Sequence, residues 1–183
     1  MPFDAAPAAA PPTSLDTFLA SVERRALRMA ELALGHREDA LDAVQDAMIK
    51  LMGYRDRPPG EWTPLFWSIL RTQITDRHRR NTVRRRVMAV LGRDEGPRDD
   101  PLERLPDPGE DPARRHADAG AWSALGQALR KLPRRQREAY LLRELQGLDV
   151  AETAAAMGCS DGSVKTHLSR AMAALRIHLE DWR

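Results

Sequence analysis

The sequence predicts an all-α protein: two small helical domains joined by a flexible, acidic, proline-rich linker, with a helix-turn-helix as the second domain. Three observations carry this. Apolar residues recur every three or four positions in each patterned segment, and no run alternates with the period of two that marks a strand. Pro97, Pro101, Pro106, Pro108 and Pro112 leave little room for helix in the middle of the chain. Residues 149–175, DVAETAAAMGCSDGSVKTHLSRAMAAL, carry the start and stop signals of two short consecutive helices.

Taken in order, residues 1–13 are rich in alanine and proline and read as a disordered tail. The first domain is expected over residues 14–86. Its first helix runs from about Ser14 to Leu34, with Leu15, Phe18, Leu19, Val22, Ala26 and Met29 at helical spacing and Gly35 as the break. A second helix is expected over residues 38–52, with Leu41, Val44, Met48 and Leu51 on one face and Asp39, Asp42, Gln45, Asp46 and Lys50 on the other. Residues 53–63, GYRDRPPGEWT, read as a loop from their Gly and Pro content. A third helix is placed from Pro64, where a first-turn proline is favourable, through Leu65, Phe66, Ile69, Leu70 and Ile74. The linker is expected over residues 87–118 and the second domain over 119–183. There Trp122, Leu125, Leu129 and Leu132 form an apolar stripe. Pro133 opens a helix that buries parts of Tyr140, Leu141, Leu142 and Leu145 and ends near Gly147.

In the last pair of helices, Asp149 can cap the first, with Glu152 three residues on completing a capping box. Gly158 can take the left-handed conformation that ends it. Ser160 can cap the second, in which Val164, Leu168, Met172 and Leu175 share one face. The opposite face carries Lys165, Thr166, Ser169 and Arg170, with His167 nearer the edge. Such a polar and basic surface can reach base edges and phosphates in a major groove. A surface hairpin of two helices with solvated charges has the same outline.

Composition narrows the classes. Apolar residues make up 42% of the chain, enough for packed cores, and the net charge of +2 does not by itself announce a nucleic-acid partner. The distribution of charge is more telling. Arg71, Arg77, Arg79, Arg80, Arg84, Arg85 and Arg86 stand against the single acid Asp76, and residues 99–111 reverse that balance. The one cysteine, Cys159, excludes an internal disulfide and reads as a small turn residue. The N-terminal residues lack the basic and apolar regions of a secretory signal, and no apolar run approaches a membrane span. A cytoplasmic protein without membrane insertion is expected. The histidines are scattered, no metal-ligand spacing or phosphate-cradling loop occurs, and no catalytic motif organises the acids and hydroxyls. Neither cofactor, metal nor enzyme activity is expected.

The order of parts resembles the extracytoplasmic-function (ECF) sigma factors, two-domain members of the sigma-70 type of bacterial RNA polymerase subunit. Residues 37–52, REDALDAVQDAMIKLM, resemble the helix that grips the polymerase clamp. Residues 61–80, EWTPLFWSILRTQITDRHRR, resemble the segment that opens and reads the −10 element. Residues 132–176 resemble the domain that binds the −35 element. The chain departs from the pattern at Met52, where the family usually has tryptophan, and near Thr72 and Thr153. The usual tryptophan of the −10 segment falls nearest Leu65, with Trp62 and Trp67 on either side.

The resemblance implies core RNA polymerase and promoter DNA as partners, and an anti-sigma protein as inhibitor. It assigns polymerase binding to Asp39, Asp42, Gln45, Asp46 and Met48, with Met52 as a further apolar candidate. Trp62, Trp67, Arg71, Gln73, Arg77, Arg79 and Arg80 fall in the −10 segment, where arginines would hold phosphates and an aromatic would receive an unstacked base. The −35 element falls to Lys165, Thr166, His167, Ser169 and Arg170. The linker would pass through the polymerase channel that later carries RNA. A conventional helix-turn-helix regulator is the competing reading, and it leaves the clamp-like helix, the Trp/Arg segment and the acidic linker unexplained.

Overall fold

A computed structural model describes residues 14–90 and 112–180. All regular structure among them is helical: α1 (Leu15–Leu34), α2 (Arg37–Met52), α3 (Pro59–Val90), α4 (Pro112–Lys131), α5 (Arg134–Tyr140), α6 (Val150–Met157) and α7 (Asp161–Leu179). A π-helical turn, Leu141–Leu145, continues α5.

The first helix begins where the Ser14 hydroxyl accepts the Thr17 N–H at 3.2 Å, satisfying one of the donors that a helix start leaves unpaired. It ends at Gly35, whose φ of 76° and N–H bond to the Glu31 carbonyl at 2.8 Å form a left-handed cap. A side chain at Gly35 would be strained by that backbone. Its Cβ would also stand 3.1 Å from the Arg130 guanidinium. Helix α2 follows at once and buries a narrow face of Ala40, Ala43, Val44, Ala47 and Leu51. Leu41, expected on that face, is exposed instead. Alanines at the contact let α2 lie close to its neighbours, and Leu41, Ile49 and Met52 are left exposed at the margins.

Helix α3 starts at Pro59, five residues earlier than expected, and takes Pro64 into its interior. Pro59 is the proline at the helix start, so the connecting loop is shorter than residues 53–63. The helix also runs to Val90, and α4 begins at Pro112, so helix enters both ends of the expected linker. The acidic residues 99–111 lie outside the described residues.

The core of α1–α3 is aromatic. Phe18 lies 5.9 Å from both Trp62 and Phe66, and Phe66 meets Trp67 edge-on at 5.2 Å, a favoured aromatic geometry. In α4–α7 the core consists of aliphatic and small residues, including Leu129, Leu141, Leu142, Ala156, Met157, Val164 and Ala171. In the π turn, the Gln146 N–H bonds the Leu141 carbonyl at 3.0 Å, five residues back. The two groups of helices pack against each other: α1 touches α4, α3 touches α6, and their buried residues form one continuous cluster. No described helix is long and apolar enough to cross a membrane.

Candidate nucleic-acid interface

The helix-turn-helix is built from strong local signals. The Asp149 carboxylate accepts the Glu152 N–H at 2.7 Å, and the Glu152 carboxylate accepts the Asp149 N–H at 2.8 Å. This capping box satisfies two donors that would otherwise be orphaned. Gly158 closes α6 with φ of 62°, and Ser160 caps α7 by accepting the Ser163 N–H at 3.3 Å. Arg135 donates to the Met157 carbonyl at 2.7 Å, holding the C-terminal end of α6. Cys159 is partly buried in the turn.

On α7, Val164, Ala171 and Leu175 are buried and Leu168 is half-buried. Met172, expected on the same face, is exposed, and Ala171 takes its place. Lys165, Thr166, Ser169 and Arg170 are all exposed and His167 is half-buried at the edge. The Thr166 hydroxyl donates to the Gly162 carbonyl at 2.9 Å, so its oxygen is left as an acceptor.

The third helix departs further from expectation. Trp62 and Trp67 are 4% and 1% exposed, packed with Phe18 and Phe66. In this conformation neither indole can receive an unstacked base, which corrects the expectation for both. The Trp62 indole N–H finds no acceptor among the described residues. Gln73 is likewise buried. Arg71 donates from Nε to the Ala156 carbonyl at 3.0 Å and approaches Glu138 at 3.5 Å. Arg79 and Arg80 are exposed, as a phosphate contact requires, and Arg84 extends this surface.

Arg77 is turned to α2, 3.0 Å from Asp46 and 3.7 Å from Asp42. Asn81 donates to Asp39 at 2.8 Å. Three of the acids assigned to polymerase binding therefore face the basic side of α3. Asp42 and Asp46 remain about half open to solvent or more. Gln45 is exposed and Met48 half-buried. Sequence reasoning missed Ile49, which is 65% exposed and shares an apolar stripe with Leu41 and Met52. Their helical spacing around Gln45 is the signal that could have found it.

Several groups carry perturbed acidity. Burial holds the Glu31 carboxyl above its usual range, with Arg37 at 2.7 Å acting against that shift. Burial lowers the pKa of Arg25 and of Arg137, the latter opposed by Glu138, and raises that of the Tyr140 phenol.

A capped helix-turn-helix with an exposed polar recognition helix, behind a helical unit with an arginine-rich surface, defines a DNA-binding transcription protein. Residues 122–175 match the family described as Sigma-70, region 4. The chain is 33% identical to the RNA polymerase sigma-E factor of Streptomyces avermitilis over 160 residues, 84% of this chain and 78% of that protein. It is 32% identical to the ECF RNA polymerase sigma factor SigM of Mycobacterium tuberculosis over 83% of this chain and 70% of that one. With the sigma-E factor of Streptomyces antibioticus it shares 43% identity, over 44% of this chain and 43% of that protein. The solved sigma factor RpoE of Bartonella quintana, in complex with the anti-sigma factor NepR, has a TM-score of 0.63 to this fold at 26% identity, covering 91% of this chain and 98% of that one. The chain belongs to the ECF sigma factors of the sigma-70 family. It is a sigma factor, and the conventional-regulator reading is not favoured. Proteins of this family are in general not enzymes.

Proposed function

We propose that this sigma factor docks on core RNA polymerase through α2, engages the −10 element through α3, and reads the −35 element through α7. The observation that carries the reading is the joint exposure of Lys165, Thr166, Ser169 and Arg170 on a helix whose other face is buried. Recognition helices use such a face to reach base edges and phosphates. On α2 the docking surface combines the apolar stripe of Leu41, Ile49 and Met52 with Gln45 and the open edges of Asp42 and Asp46. Ion pairs at an exposed rim contribute only about 0.2–1 kcal/mol each, so the apolar stripe supplies the larger part of the affinity.

On α3, Arg79 and Arg80 hold phosphates, while the buried Trp62 and Trp67 position the helix and do not stack on bases. Residues 14–86 and 119–183 act as the two promoter-binding units, and the acidic linker suits a positively charged polymerase channel. The protein works in the cytoplasm, carries no catalytic centre of its own, and takes an anti-sigma protein as its inhibitor.

The test is transcription in vitro with core polymerase on a genomic fragment library, followed by mapping of start sites. Addition of this chain is expected to produce starts that core alone does not make, preceded by a shared pair of sequence elements. Starts unchanged by its addition would refute the proposal.

A further inference from the structure

Gly162 and Thr166 form the centre of the outward face of α7. Val164, Ala171 and Leu175 are the buried residues of this helix. At about 100° per residue, Thr166 comes out opposite their mean direction, and Gly162 lies one turn before it on the same side. Both are exposed, with Lys165, Ser169 and Arg170 exposed around them.

Nothing in the fold calls for a glycine at position 162. The positive-φ glycines among the described residues are Gly35, Gly147 and Gly158, so Gly162 needs no left-handed backbone. A Cβ built on it would meet nothing within 4 Å. Glycine is the poorest helix former after proline, yet it stands in the first turn of α7. What a missing side chain does provide is close approach of another molecule to the helix backbone. In the helix-turn-helix, the N-terminal part of the recognition helix is the part that meets base edges.

Thr166 completes the face. A threonine hydroxyl has one hydrogen to donate and two lone pairs that accept. Here the hydrogen goes to the Gly162 carbonyl at 2.9 Å, a local bond that helical threonines commonly make. Toward DNA the oxygen can therefore only accept. In the major groove the exocyclic donors are the amino groups, adenine N6 and cytosine N4, whereas guanine O6 and thymine O4 are acceptors. An amino base completes a hydrogen bond with Thr166; a keto base sets oxygen against oxygen.

We infer that Thr166 is a specificity-determining residue: it selects adenine or cytosine against guanine or thymine at one position of the −35 element, and Gly162 lets α7 lie close enough to the bases for this. The inference rests on the proposed −35 role of α7.

The test uses holoenzyme assembled from core polymerase and the full chain. It is offered duplex promoter fragments randomised over the −35 element, and the retained fragments are sequenced. The parent should prefer an amino base at one position by about fivefold, the worth of one hydrogen bond. Thr166→Val, which nearly keeps the shape and loses the hydroxyl, should lose that preference and no other; Thr166→Ser should keep it. In a selected fragment, replacing adenine by purine or cytosine by 2-pyrimidinone deletes only the amino group. The parent should then bind about fivefold more weakly, and Thr166→Val no more weakly than before. Gly162→Ala should melt no lower than the parent yet lose about tenfold in binding to all fragments, as several contacts loosen together.

A parent indifferent to the missing amino group would overturn the base reading, as would a Thr166→Val holoenzyme with the parent's preferences. Loss of a keto preference in Thr166→Val would show that the hydroxyl donates, and would overturn it too. Gly162→Ala that binds like the parent, or that loses helicity, would overturn the close approach. Failure of the −35 reading itself would show separately: no selection by the parent at any randomised position, and Arg170→Ala binding as the parent does. The base-analogue measurement needs only the parent, so it can refute the base reading whatever the variants do.

Discussion

Trp67→Ala should unfold the first helical group before it disturbs any chemistry on DNA. The indole is 1% exposed, meets Phe66 edge-on at 5.2 Å and seats the Arg25 guanidinium at 5.8 Å. Truncating a buried tryptophan to alanine costs about 3–5 kcal/mol. The aromatic pair accounts for roughly 0.5–1.5 kcal/mol of that and the cation contact for about 0.5–1 kcal/mol. The remainder is transfer free energy and cavity. For a chain of this size each kcal/mol lowers Tm by about 2–4 °C, so the expected fall is roughly 6–20 °C. Thermal unfolding followed by circular dichroism gives the stability term. Promoter opening on closed and pre-melted templates, measured well below the variant's Tm, gives the functional term. A core role predicts a large Tm loss and defects that shrink together on cooling. A Trp67→Ala protein that melts like the parent, yet fails to open closed templates and is rescued by a pre-melted bubble, would refute the placement of this residue in the core.

Three further outcomes are expected. Ile49→Asp, at a 65% exposed position, should leave Tm nearly unchanged yet weaken competition for core polymerase at least tenfold; full competition would remove α2's apolar stripe from the docking surface. In a randomised −35 duplex pool, Lys165→Ala and Ser169→Ala should change the preferred sequence, with roughly 1–3 kcal/mol of discrimination lost where a bidentate contact goes. Arg170→Ala should weaken all sequences alike and reduce the salt slope by about one, and the reverse pattern would mean α7 is turned differently on DNA. Glu31, raised in pKa chiefly by burial, favours the fold in its protonated form, so its contribution is full below the unfolded glutamate value and is lost as pH rises through its raised one. The Tm of the parent should accordingly fall relative to Glu31→Gln as pH rises from about 4 to 8, and a constant difference would contradict this.

The helix-turn-helix was legible because its determinants are local. Asp149, Glu152, Gly158 and Ser160 act within a few residues of themselves, and the structure has each in its expected part. The aromatic segment was not legible, because whether Trp62 and Trp67 are core or surface depends on Phe18, a distant residue on α1. The acidic face of α2 looked free for the same reason: the cations that meet it come from α3, with Arg77 lying 31 residues beyond Asp46. Leu41 and Met172 misled in another way. Each was read as inward because it is large, yet alanines hold much of the inward face of α2, and Ala171 is the inward neighbour of Met172 on α7. Hydrophobic size is a poor guide where helices approach closely, since only small side chains fit there.

The π turn at Leu141–Leu145 sets the rotational phase of everything that follows it. Each residue of an α-helix advances the chain by about 100°, so a turn closed five residues back holds one residue more than the regular spacing would. Gln146 emerges just after it, aimed at Arg25 on α1. Regular α-helical winding through the same residues would swing Gln146 by roughly 100°, away from that partner, while leaving the composition of the helix unchanged. The bond between the two halves of the molecule is thus encoded as a count of residues as well as by their identities. An alignment scored on identity alone would pass over the difference.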